Sequence, residues 1–154
     1  MSARFFRTAL VALLLALVAL LPAPGAGRAE ILLEHPWAQV TPPKAVVGRA
    51  YVVLTNHSNE TAHLVGVRTD AALSTEIAGI RILQDVPNLR RLYNIDIPPE
   101  RSFVFAPGGY HILMRNLKKP LVAGDRITGV LIFENAGEVP VTFTVEAQPA
   151  APAR

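Results

Sequence analysis

The chain has 154 residues, of which 51% are hydrophobic and 18% are charged, and 15 basic residues against 12 acidic ones give a formal net charge of +3. Arg4, Arg7 and Arg28 account for the basic excess, so the chain beyond residue 29 is balanced, which argues against a nucleic-acid-binding or membrane-surface protein. There is no cysteine, which excludes disulfides, thiolate metal ligands and the lipid-bearing cysteine of a lipoprotein.

Residues 1–29 have the features of a secretory leader. Two arginines precede thirteen unbroken apolar residues at 9–21, and prolines and glycines follow. This run is too short for a membrane anchor, because a spanning helix needs about 20 apolar residues. Gly27 and Ala29 are small residues that suit cleavage before Glu30. The sequence therefore predicts a signal peptide at 1–29 and a soluble, exported or periplasmic product that has no membrane contact once the leader is removed.

Beyond the leader, short apolar runs alternate with clusters of turn residues, which is the pattern of an antiparallel all-β domain. The clearest hairpin lies at 126–146, where Gly137 is free to take a positive φ and Pro140 must lie at an edge, because it cannot donate to the ladder. A two-sheet sandwich at 30–147 is the natural way to bury this many amphipathic strands. Residues 148–154 are predicted to be a disordered tail. The candidate strands are 31–39, 47–55, 62–68, 75–83, 89–95, 102–105, 110–117, 126–134 and 139–146. A short helical turn at 72–79 is the alternative in the region of the fourth strand.

Four histidines are the first candidates for chemistry. His57 and His63 bracket Glu60, a spacing that suits zinc and a remote zinc-hydrolase function, but no fourth ligand lies nearby and a solvated loop is favoured. His35 lies two residues from the only tryptophan, which favours a packing or turn contact. Nucleophile elbows, glycine-rich phosphate loops and paired carboxylates are all missing, so the sequence predicts that the protein is not an enzyme.

Five motifs occur in order across nearly the whole chain beyond the leader: WAQVTPP, GRAYVVLTNH, PGGYHILM, LKKPLVAGD and FENAGEVPV. In this order they resemble the PCu(A)C family of periplasmic copper chaperones. The resemblance implies a cupredoxin-like or immunoglobulin-like antiparallel β-sandwich. It also implies that the protein holds Cu(I) and passes it to the CuA centre of cytochrome oxidase, so the expected partner belongs to cytochrome oxidase assembly.

The resemblance further implies a Cu(I) site of two histidines and two methionines, and most of that site is missing. Where the family has E-I-H-E-M, this chain has Ala78 at the histidine position and Ile80 at the methionine position. Where the family has His-x-Met after PGGY, His111 remains and Leu113 replaces the methionine. On an extended strand Met114 faces away from His111 unless a bulge intervenes. One imidazole with at most one thioether predicts weak Cu(I) binding or none.

Two functions are consistent with these residues. The first is a copper chaperone with a weak site at His111, completed by Met114, His35 or a partner protein. The second is a metal-free interaction module that uses an apolar patch at the three lost ligand positions, and ligand chemistry alone favours it. Arginines would form the rim of this patch, and the charge of Arg115 further disfavours a bound cation. The rim arginines are Arg81, Arg90, Arg91 and Arg115.

Overall fold

The computed structural model describes residues 30–83 and 86–147, and at 81–83 and 87 it describes the backbone alone. These residues form an all-β domain, which confirms the predicted fold class. The predicted leader and the predicted tail at 148–154 lie outside the described residues. The strands are β1 (Ile31–Gln39), β2 (Val47–Asn56), β3 (Ala62–Thr69), β4 (Ala72–Leu83), β5 (Val86–Leu92), β6 (Ile95–Ile97), β7 (Arg101–Val104), β8 (His111–Leu117), β9 (Arg126–Phe133) and β10 (Gly137–Glu146).

The strands form one sheet in the order β5, β4, β8, β2, β1, β10, β9, β3 and β6, and β7 pairs with the second half of β2. The described pairs are antiparallel except β1 and β10, which run parallel with Trp37 opposite Thr144. The sheet curls so that β3 approaches β4, where the Thr75 hydroxyl donates to the Val67 carbonyl. The curl encloses a core whose largest fully buried apolar side chains are Leu54, Leu64, Ile97, Ile112, Met114, Leu121, Leu131 and Phe143.

The hairpin predicted at 126–146 is formed by β9 and β10, with Ile127 opposite Phe143. Gly137 has a φ of 76°, the left-handed conformation that glycine adopts without steric cost. Pro140 pairs with β9, while β10 pairs with β1 only from Thr144 onward, so the proline lies where β10 has one neighbour. The alternative of a helical turn at 72–79 is wrong, because β4 is a strand from Ala72.

Strands β4, β8 and β2 lie side by side and position the residues that the family resemblance singles out. β8 pairs with β4 on one side, with Ala78 opposite His111, and with β2 on the other, with Ala50 opposite Ile112. Among the described residues no helix is long and apolar enough to cross a membrane.

Candidate functional site

The ladder between β4 and β8 fixes which side chains share a face with His111. Glu76 lies opposite Leu113, and the register continues without a shift to Thr75 opposite Met114. Because successive residues of a strand point to opposite faces, His111 and Leu113 share one face and Met114 lies on the other. Met114 is fully buried in the main core. No bulge brings its sulfur towards His111.

His111 is buried, with 2% of its surface exposed, and its two ring nitrogens have different surroundings. Nδ1 lies 3.0 Å from the carbonyl oxygen of Gly109. A carbonyl only accepts, so Nδ1 carries the proton and donates this bond, which leaves Nε2 with a free lone pair. Nε2 is buried and has no hydrogen-bond partner among the described residues. An imidazole whose Nδ1–H is anchored to a backbone carbonyl while Nε2 stays free is oriented as a metal ligand.

Burial lowers the pKa of His111 below its ordinary value of 6.5, because the charged ring would lose its hydration. The hydrogen bond to Gly109 opposes this shift, and the positive charge of Arg49 lowers the pKa further. Arg49 lies opposite Leu113 on β2, on the His111 face. The sequence predicted that Arg115 would supply the unfavourable charge. Arg115 instead pairs with Glu76 at 3.2 Å. The imidazole is therefore neutral at pH 7.

This shift predicts how stability depends on pH. Because the folded-state pKa of His111 lies below the unfolded value, the unfolded chain binds the proton more readily. We expect the contribution of His111 to the free energy of unfolding to be fully present above about pH 6.5 and to decline as the pH falls below it. Denaturant unfolding of the wild type and of His111→Gln between about pH 8 and pH 5 measures this. A difference between the two proteins that stays constant across this range would contradict the prediction.

The other three family ligand positions offer no donor atom. Ala78 and Leu113 are buried at 1% and 3% exposure, so both are packed hydrocarbon. Ile80 is 42% exposed. The Glu76 carboxylate on the same face accepts from Arg115 and lies 3.9 Å from a guanidinium nitrogen of Arg91. Within 30–83 and 86–147, the donors on this face do not make a four-ligand Cu(I) site, and His111 Nε2 is a buried donor atom there without a partner.

Two aromatic side chains on β2 and β1, Tyr51 and Trp37, lie on the same face of the sheet as His111. Tyr51 follows Ala50 on β2, its ring lies 4.6 Å from that of Trp37, and both residues are buried. Burial also raises the pKa of Tyr51, with Arg49 opposing. His35 stacks on Trp37 at 6.2 Å and lies 3.3 Å from the Glu146 carboxylate. It is two strands away from His111 and does not complete a site there. Sequence reasoning missed Arg49 and Tyr51, although the alternation of β2 places them on one face.

The other histidines are held apart. His57 Nδ1 lies 3.3 Å from the Glu100 carboxylate, and His63 Nδ1 lies 2.7 Å from that of Asp96. The hydrogen bond with His63 lowers the pKa of Asp96 below its ordinary value. Within 30–83 and 86–147 there is no group of three or more histidine, cysteine or acidic side chains placed to hold a metal ion. His57, His63 and Glu60 are therefore not placed together as a zinc site.

The curled sheet is consistent with a cupredoxin-like β-sandwich. With one oriented histidine on its β4–β8 face, it defines a PCu(A)C-like domain. The chain belongs to the LpqE-like family, because the family model described as putative lipoprotein LpqE-like matches residues 31–145. The resemblance stated from the motifs is confirmed.

Solved structures support the same assignment. The copper-bound PCuAC domain from PmoF2 has a TM-score of 0.65 at 26% identity, covering 79% of this chain and 96% of that one. The apo PmoF2 PCuAC domain has a TM-score of 0.66 at 28% identity, covering 82% and 98%. The CuI-DR1885 structure from Deinococcus radiodurans has a TM-score of 0.60 at 23% identity, covering 81% and 84%, and shows the shared fold.

One sequence relative is the putative lipoprotein Lxx21020 of Leifsonia xyli subsp. xyli (strain CTCB07), which is 31% identical over 103 residues. The match covers 63% of this chain and 59% of the relative, so the chain spans about three fifths of that protein's length.

Proposed function

We propose that this protein is an exported member of the copper-chaperone family, without enzymatic activity, whose own Cu(I) site is reduced to His111. The observation that carries the proposal is the buried Nε2 of His111. Leaving a buried polar atom without a partner costs about 1–3 kcal/mol, and a metal ion is a partner that would satisfy it. The copper-bound state of the PmoF2 domain on the same fold supports Cu(I) as the cargo.

The ligand count makes this binding weak. Cu(I) favours thioether and thiolate sulfur, whereas the three positions that supply other ligands in the family are apolar here. The charge of Arg49 also opposes a cation near His111. Tight retention would require a partner to contribute donors at the moment of transfer. Delivery to the CuA centre of cytochrome oxidase is the family role that this proposal extends to the chain.

Anaerobic titration with Cu(I) against a competing chelator tests the proposal. We expect the chain from Glu30 onward, which contains every described strand, to give up Cu(I) to a chelator of about micromolar affinity, and any residual binding to disappear in His111→Ala. Met114→Leu is the matched control, because this sulfur lies in the core on the opposite face, and we expect it to leave residual binding unchanged. One tightly held equivalent of copper that survives His111→Ala would overturn the proposal.

A metal-free interaction module is the second candidate function. The observation that favours it is an exposed apolar and arginine-bearing surface at the β4–β5 end of the sheet. The patch differs from the one expected at the lost ligand positions. Ala78 and Leu113 are buried, and of those three residues only Ile80 reaches the surface. Among the expected rim arginines, Arg115 pairs with Glu76, and the side chain of Arg81 lies outside the described residues.

A further inference from the structure

Strand β5 forms one edge of the sheet. It pairs with β4, with Ile80 opposite Leu89 and Gly79 opposite Arg90, and no described strand pairs with its other side. An edge strand presents a row of unpaired backbone N–H and C=O groups that can accept a further strand. Proteins that bind peptides by strand addition use such edges, with backbone bonds for affinity and neighbouring pockets for specificity.

A groove of about 440 Å³ lies at the β4–β5 end. Gly79 shapes it, because a Cβ atom at this position would come within 2.8 Å of the Tyr110 ring. Apolar side chains are unusually exposed in this region: Leu89 is 48% exposed and Tyr93 is 74% exposed. An exposed apolar cluster beside an open strand edge is the composition of an interaction surface. The groove is lined by Ile80, Arg90, Arg91, Leu92, Tyr93 and Tyr110.

The charge of this surface is positive. Arg90 is exposed and has no ion pair among the described residues. Arg91 lies over the ring of Tyr93 at 5.1 Å. The Glu76 carboxylate lies 3.9 Å from Arg91 but 3.2 Å from Arg115, so it pairs more closely with Arg115. Pairing of β5 with β5 of a second copy would gather four guanidinium groups at one junction, which like-charge repulsion disfavours. An acidic segment would instead supply carboxylates that pair with both arginines.

We propose that the β5 edge is a docking site for an extended, acidic segment of a partner protein. The segment adds a strand to β5. On one face it places an apolar side chain and a carboxylate against Leu89, Tyr93 and Arg91, and on the other it places a carboxylate on Arg90, beside Tyr110. This inference rests on the second candidate function and names its partner class. It is independent of copper, since His111 lies two strands from β5.

Selection from a displayed library of random peptides of about ten residues tests the proposal, since strands are rarely longer. We expect the enriched peptides to be acidic and to contain apolar residues, and to protect the β5 amides from hydrogen exchange. We expect Arg90→Glu with Arg91→Glu to weaken binding of a selected peptide by about tenfold or more, and a version of that peptide with lysine for each acid to regain it. Arg126→Glu, an exposed change on β9, is the matched control and should leave binding unchanged.

Three outcomes would overturn the docking site: no enrichment, enrichment without an acidic bias, or protection of strands other than β5. Formation of concentration-dependent dimers that protect β5 would assign the edge to a second copy and also overturn the proposal. Peptide binding should be unchanged in His111→Ala, whereas the double arginine variant should lose peptide binding and keep the Cu(I) binding that depends on His111. Failure of the docking site is therefore distinguishable from failure of the copper proposal.

Discussion

Changing Ala78→His, Ile80→Met and Leu113→Met together is expected to create a tight Cu(I) site. Ala78 lies directly opposite His111, and opposite residues of an antiparallel pair have Cβ atoms about 4.5–5.5 Å apart, close enough for two imidazoles to share one ion. Ile80 and Leu113 lie on the same face, on either side of this pair. Two thioethers would supply the sulfur that Cu(I) favours. We expect the affinity to rise by about 1000-fold or more, or roughly 4 kcal/mol.

Competition with a chelator under anaerobic conditions measures this gain. The matched control is the same triple variant with His111→Ala added, which should lose most of the gained affinity because the shared ion loses an imidazole. Circular dichroism establishes whether both variants are folded, since Ala78 and Leu113 are buried and a larger side chain in a packed site costs about 1–3 kcal/mol. A folded triple variant with wild-type Cu(I) affinity would contradict the assignment of the ligand positions.

A separate experiment tests whether Ile80 is the right position for one of the two thioether ligands. Leu89 on β5 is the ladder partner of Ile80 and lies on the same face. A variant that combines Ala78→His and Leu113→Met with Leu89→Met in place of Ile80→Met therefore asks which strand presents the thioether better. By ladder position, Ile80 is one strand from His111 and Leu89 is two, so we expect the Ile80→Met version to bind more tightly.

The all-β fold was predictable from the sequence because strand alternation is a local signal. The hairpin of β9 and β10 lies where it was predicted, and Gly137 has the predicted positive φ. The fifth strand was predicted at 89–95, whereas β5 is Val86–Leu92 and β6 begins at Ile95, because Pro87 has the signature of a strand breaker. The parallel pairing of β1 with β10 was also missed. It joins the two ends of the domain, and the local pattern that identifies a strand carries no information about so distant a neighbour.

The candidate site was less predictable, because its properties depend on contacts between strands. His111 and the three apolar replacements could be named from motifs alone. The orientation of the ring could not, since it depends on the Gly109 carbonyl turning towards Nδ1. The influence of Arg49 required the register of β2 against β8. The interaction surface was expected at Ala78 and Leu113, but apolar composition does not reveal burial, and the exposed cluster lies further towards β5.

Trp37→Ala is expected to destabilise the protein strongly, even though the residue lies outside the region of missing ligands. Trp37 is 7% exposed and packs its ring 4.6 Å from that of Tyr51, which lies on β2 between Trp37 and His111. Truncating a buried tryptophan to alanine costs about 3–5 kcal/mol, a large part of the 5–15 kcal/mol that stabilises a typical domain. Trp37→Phe keeps most of the ring contact and should cost clearly less.

Urea unfolding followed by circular dichroism measures both variants, because removing the only tryptophan also removes its fluorescence. Leu32→Ala is the matched control on β1, since this side chain is 47% exposed and its truncation should change the free energy of unfolding by less than about 1 kcal/mol. Equal stability of the alanine and phenylalanine variants would show that the ring contact between Trp37 and Tyr51 does not support this face.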